Sequence, residues 1–170
     1  MKPKIIITGG VLLLFTILFW MGYIDKNVTT ASVQDTGGSH TAKSRLTASE
    51  TVYDFGTISM KNGNVTKEFT VTNSTTQDII IKTILTSCMC TKAFIVEPDG
   101  NTKGPFSMPG MGYVPPANEL IKAGESRIIR VVYDPNAHGP AGVGMIDRFI
   151  NLSDDAGGAI QLEIKALVKP

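Results

Sequence analysis

An all-β, immunoglobulin-like β-sandwich of about seven strands, preceded by one N-terminal transmembrane helix or signal segment, is the fold this sequence predicts. Three observations predict it. Beyond Glu50, apolar and polar residues alternate along short runs rich in Val, Ile, Thr, Phe and Tyr, the period of a strand with one face buried. Asn-Gly, Gly and Pro punctuate those runs at near-regular spacing, as turns must. No window of about a dozen residues keeps the 3.6-residue apolar repeat of an amphipathic helix.

The first segment, residues 1–24, begins with Lys2 and Lys4 and then runs from Ile5 to Ile24 without a charge. At about 1.5 Å rise per residue this run covers roughly 30 Å, the thickness of a hydrocarbon core. Lysines ahead of the segment place the N-terminus in the cytoplasm, and Trp20 and Tyr23 suit the outer interface. The expected partner of residues 5–24 is therefore the membrane: a single-pass inner-membrane protein with its C-terminal domain periplasmic or extracellular. A cleaved secretory signal is the competing reading; Thr29-Thr30-Ala31 matches its small-residue cleavage pattern poorly. Residues 25–49, poor in apolar side chains and without periodicity, read as a flexible linker. His40 lies within it.

Residues 50–170 read as the sandwich. Thr51 to Ile58 opens it, and Asn62-Gly63 predicts a hairpin onto Val65 to Asn73, which sets Val65, Phe69 and Val71 on one face. Ile79 to Thr86 follows a polar turn, then Phe94 to Glu97, Leu120-Ile121, Ser126 to Tyr133, Asp147 to Leu152, and finally Ile160 to Val168. The last run alternates cleanly: Ile160, Leu162, Ile164, Ala166 and Val168 share a face opposite Gln161, Glu163 and Lys165. Two connections exceed plain turns. Pro98 to Asn118 and Asp134 to Gly144 are both rich in Pro and Gly, and loops of that length usually carry function or lack order.

Composition narrows the function. Lys and Arg total 16 against 15 Asp and Glu, so no basic field draws nucleic acid. The chain has two histidines, and His138 stands in no nucleophile-elbow context for Ser-His-Asp catalysis. Asp134, Asp154 and Asp155 form no calcium loop. The two cysteines, Cys88 and Cys90, are the chemistry that is left. If the strand stays extended through Cys90, both sulfurs leave one face and Met89 the other.

Tyr53-Asp54-Phe55-Gly56-Thr57-Ile58, Phe69-Thr70-Val71-Thr72-Asn73, Ser87-Cys88-Met89-Cys90-Thr91 and Ala123-Gly124-Glu125-Ser126 together resemble the bacterial family called domain of unknown function 1573. The resemblance spans about Thr51 to Val168. It implies an immunoglobulin-like fold, akin to major sperm protein domains, in an exported and often membrane-tethered setting. Met89 stands where that family usually has glycine, and the Pro98 to Asn118 connection is longer than usual; both departures add methionine near the cysteines.

The expected function is an exported, membrane-tethered binding or scaffolding module of the bacterial cell envelope, with an envelope protein as partner, no catalytic activity and no cofactor. The alternative is a periplasmic soft-metal protein holding copper through Cys88 and Cys90, with Met108, Met111 and His138 as accessory ligands, since thiolates, thioethers and imidazole suit that ion. Met145 is a further thioether in reach of the same loops. A second alternative is a thiol redox partner, although Cα atoms two apart in an extended strand sit at the limit for a disulfide. Against both stands a packing role, with the cysteines capping a strand, Met89 filling the core, and His138 in a turn.

Overall fold

The computed structural model describes residues 42–170. The expected membrane segment 5–24 and His40 lie outside them, and no helix among the described residues is long and apolar enough to cross a membrane. Eleven strands make up the described chain: β1 (Ala42–Lys43), β2 (Leu46–Ala48), β3 (Val52–Ser59), β4 (Val65–Asn73), β5 (Ile79–Thr86), β6 (Thr91–Val96), β7 (Thr102–Phe106), β8 (Glu119–Ile121), β9 (Ser126–Tyr133), β10 (Gly144–Asp154) and β11 (Gly158–Lys169). They form two sheets. One has the order β1-β11-β10-β5-β8, with β3 also on β11, and the other has β2-β4-β9-β6-β7.

Alternation along each strand builds the core between them. Phe69 and Val71 of β4, Ile79, Ile81 and Ile84 of β5, Ile129 and Val131 of β9, Ile150 of β10, and Leu162 and Ile164 of β11 are all fully buried. Each such aliphatic or aromatic side chain contributes roughly 1.5–3 kcal/mol relative to exposure. Packed sheets of alternating strands are therefore the observed architecture, an all-β sandwich as expected. The bounds of β4, β5 and β9 coincide with the runs read from the sequence.

The Asn62-Gly63 hairpin is not formed. β3 pairs in parallel with β11, whereas β4 pairs with β2 and β9, so the chain changes sheets between them. Gly63 has φ +74°, but Asn62 is not among the positive-φ residues, and the two-residue hairpin turn needs both. A short 3-10 turn at Met60–Asn62 forms instead, closed by Gly63 N–H donating to the Met60 carbonyl. Turn chemistry fixed the bend and not the pairing.

Three further differences concern extent. The linker expected to reach residue 49 ends earlier within the described residues, because β1 and β2 attach to β11 and β4 by backbone hydrogen bonds, with Ser44 and Leu46 buried. Strands of two or three residues leave no alternation to read. Eleven strands replace about seven partly for the same reason, and partly because β7 lies in the Pro- and Gly-rich connection. Lastly, the Pro98 to Asn118 connection is not structureless: it contains β7, which returns on β6 through a turn closed by Gly100 N–H donating to the Glu97 carbonyl.

Polar residues finish the start of β5. Asp154, buried where β10 meets β5, accepts from the Ser44 hydroxyl at 2.6 Å and from the Gly158 and Ala156 N–H groups at 2.8 and 2.9 Å. Gly158 has no room for a side chain, since an added Cβ would come within 2.6 Å of the Ser44 Cα. Asp154 is thus spoken for by protein donors. On the other side of β5, buried Glu119 accepts from Arg127 at 2.7 Å and pairs with Lys103.

Candidate functional site

The cysteines occupy a corner between the sheets. β5 ends at Thr86 in one sheet and β6 begins at Thr91 in the other, so Cys88-Met89-Cys90 lies in the turn that joins them and not in an extended strand. Cys88 C=O accepts from Thr91 N–H at 3.1 Å, which closes the turn. The buried Thr86 hydroxyl lies 3.1 Å from the Cys88 carbonyl and 3.0 Å from that of Thr91, donating across the bend. Satisfying these carbonyls internally is what lets the corner be partly buried. It also folds the two sulfurs toward each other, the role the extended strand was expected to play. Met89 turns outward, 43% exposed, so it fills no core.

Another sheet-to-sheet connection, residues 134–143, closes over the same corner. Asp134 N–H donates to the Cys90 carbonyl at 2.9 Å, and Asn136 Nδ2 donates to the Met60 carbonyl at 2.9 Å. The tight 3-10 turn Gly139–Gly142 follows. A Cβ on Gly142 would sit 3.1 Å from the Pro135 carbonyl and 3.5 Å from the His138 Cβ, so the loop packs closely on the residue that carries the imidazole. His138 Nε2 and Cys88 Sγ share a hydrogen bond at 3.1 Å.

One ligand atom each from Cys88, Cys90 and His138 gives three soft donors that all lie within 4.8 Å of one another. Both cysteines are free thiols. Cys90 is buried, Cys88 half-buried and His138 exposed, so the cluster opens on the His138 side. Met108 is half-buried in the connection after β7, whose Ser107 carbonyl accepts from Thr86 N–H at 3.3 Å. Met111 and Met145 are exposed, at 54% and 77%. Cys88, Cys90 and His138, all singled out in the sequence, are brought together by the fold.

Sequence reasoning missed Arg148. The β10–β5 register pairs Ile150 with Thr86, so β10 carries Arg148 alongside the cysteine turn. There Nε donates to Cys90 Sγ at 3.2 Å and Nη1 to the Asp147 carbonyl at 2.8 Å. Ser87 and Phe149 lock the same level: Phe149 N–H donates to the Ser87 hydroxyl and Ser87 N–H to the Phe149 carbonyl, both at 2.9 Å. Only the strand register brings an arginine far along the chain to this sulfur.

The two thiols are made unequal. Burial pushes Cys88 up, but hydrogen bonds from the Cys90 side chain and N–H, from His138, and the Arg148 charge outweigh it and bring the thiol to about 7. Burial and the hydrogen bond with Cys88 push Cys90 up, against the opposing pull of Arg148 and Thr91. Buried Tyr133, next to both, is pushed up as well, by burial and then by the charge on Cys90. Near neutral pH one sulfur is therefore a ready thiolate and the other is close behind a cation. Such a pair can ligate a soft ion or exchange with a disulfide.

Residues 46–99 match the family described as "Protein of unknown function (DUF1573)". That is the family whose resemblance the Asp-Phe-Gly start and the Cys-x-Cys-Thr block carried. The DUF1573 match takes in both cysteines, while His138 and Arg148 stand beyond it. No curated protein matches the chain. Among solved structures, the chain is similar to a protein of unknown function from Porphyromonas gingivalis W83 at 13% identity and a TM-score of 0.53, covering 79% of this chain and 51% of that one. It is similar to the ASH / PapD-like domain of human CEP192 at 10% identity and TM-score 0.47, covering 75% and 87%. The secreted serine protease VesC from Vibrio cholerae gives 15% identity and TM-score 0.46, covering 72% and 23%. The chain thus spans about half the length of the first of these structures. At such identities the likeness concerns the fold alone.

Proposed function

We propose that this chain is an exported, membrane-tethered binding module of the bacterial cell envelope, and that its ligand is a soft metal ion held by Cys88, Cys90 and His138. The observation that carries the metal reading is the convergence of those three donors within 4.8 Å at one corner of the sandwich. Two thiolates and an imidazole select Cu(I) or Zn(II) over harder ions. The export and tether rest on the charge-free run from Ile5 to Ile24 behind Lys2 and Lys4, with residues 42–170 as the binding domain. Residues that hold an ion in a rigid corner bind and deliver it.

Metal analysis of the full-length protein, purified with and without added copper and zinc under reducing conditions, tests this. The expected result is one ion per chain, lost in Cys88→Ser and Cys90→Ser, with free-thiol counts rising by two when the ion is removed. Two freely reactive thiols at all times and no retained ion would leave contact with an envelope protein as the function. Protease treatment of spheroplasts tests the tether: the domain is expected to be digested from outside.

A second reading has its own observation in support. Cys88 is accessible with its thiol at about 7, beside a buried and less acidic Cys90, which is the asymmetry of an attacking and a resolving thiol. A disulfide between them that re-forms at a defined potential, in protein that retains no metal, would favour a thiol redox partner.

A further inference from the structure

Resting on the metal reading, we infer that Arg148 sets the charge of the ion this corner accepts, so that the ligand is monovalent copper and not divalent zinc. Four arginines fall among the described residues. Arg45, Arg127 and Arg130 each pair with a carboxylate. Among the described residues Arg148 pairs with no carboxylate; its Nε–H meets the Cys90 sulfur instead. It is anchored from behind by the bond to the Asp147 carbonyl and half-buried by the β10 strand that carries it. A guanidinium keeps its charge at any pH the protein meets. It is a fixed cation built into the wall of the donor set.

Charge then decides between ions. Two thiolates beside one guanidinium and a neutral imidazole leave a net of minus one, which a monovalent ion cancels and a divalent ion overshoots. In a partly buried corner an uncancelled charge close to a guanidinium is costly. Among the described residues no carboxylate joins the group of ligand atoms to absorb it. Asp134 turns its Oδ1 to the Asn136 N–H at 2.8 Å, and Asp147 faces Lys165. Donor number agrees: three soft donors satisfy Cu(I), whereas a structural zinc site closes with four. By donating to Cys90, Arg148 also orients that sulfur, the task of a residue behind a ligand. It is a specificity-determining residue and touches no ion itself.

The test compares full-length, reduced wild type with Arg148→Gln, Arg148→Met and Arg148→Lys. Cu(I) affinity is read anaerobically by competition with bicinchoninate, and Zn(II) affinity by competition with a colorimetric chelator. Wild type is expected to favour Cu(I). Both charge-removing variants should lower the ratio of Cu(I) to Zn(II) affinity by at least about 10-fold, chiefly by gaining zinc. Arg148→Lys, which keeps the charge, should stay within about threefold of wild type. A ratio unchanged in Gln and Met variants that retain the wild-type circular dichroism overturns the role of Arg148 and leaves the metal site standing. Equal loss of both ions does the same, since it marks a packing role. Should Gln and Met both unfold, a Lys variant that shifts the ratio toward zinc by more than about 10-fold overturns it too, and one that holds the ratio supports it. A wild type that binds neither ion overturns the metal reading and this inference together.

Discussion

The two ends of β5 make opposite use of polar side chains. Against its start stand Asp154 and Glu119, buried carboxylates whose oxygens are met by Ser44, Ala156 and Gly158 in one case and by Lys103 and Arg127 in the other. Past its end, which lies about 17 Å along the strand from them, stand Cys88 and Cys90, met by one imidazole and one guanidinium. The carboxylate end is saturated and inward. At the sulfur end two thiols share one fixed cation, and the exposed His138 covers them from the solvent side. A saturated cluster holds strands together, while an unsaturated one facing solvent has capacity for a ligand. The difference teaches which of two buried polar groups to read as structure and which as site.

The largest effect expected from breaking this contrast is at Cys88. Cys88→Ser should cost at least about 100-fold in Cu(I) affinity, because a hydroxyl is a poor ligand for a soft ion. Its urea midpoint should hardly move, as the sulfur is half-exposed. A matching loss of stability would mean that the corner is a packing device.

Asp154→Ala should behave in the reverse way. The donors around it lose their acceptor, at a cost of about 3 kcal/mol measured by urea unfolding, with Cu(I) affinity unchanged. The acid limb follows with a definite sign. Burial opposes the ionised form of Asp154, but the Ser44 hydroxyl and the Gly158, Ala156 and Arg45 N–H groups hold its carboxyl below the ordinary value. Its contribution is therefore present above the carboxylate's unfolded value and lost as pH falls through the depressed one. Wild-type stability should drop below about pH 4, more steeply than that of the Ala variant.

The smallest effect sharpens the sulfur end. Alkylation of Cys88 by iodoacetamide should rise to half its maximal rate near pH 7, and Cys90 should react only at higher pH. Arg148→Gln should move the Cys88 profile upward, because its charge holds the thiolate. An unmoved profile would detach Arg148 from the site.

Much of this was readable in the sequence where alternation was long. Val65–Asn73, Ile79–Thr86 and Ser126–Tyr133 announced themselves because one face of each is buried and the other is not. Pairing was another matter. Asn62-Gly63 speaks for a bend, and nothing local says that β3 leaves it for β11 while β4 goes to β9. The site divided along the same line. Cys88, Cys90 and His138 were legible as chemistry from residue type alone, but their convergence depends on two sheet-to-sheet connections meeting at one corner. Arg148 gave no signal, since a lone charged residue in an alternating strand reads as a solvated face until the register sets it against a sulfur.

The most direct test is copper-edge X-ray absorption on the reduced full-length protein loaded with one equivalent of Cu(I). The account predicts a low-coordinate ion with two sulfur scatterers and one nitrogen, the nitrogen lost in His138→Ala. Copper that washes off the wild type, or a ligand shell that survives unchanged in Cys88→Ser, would contradict it.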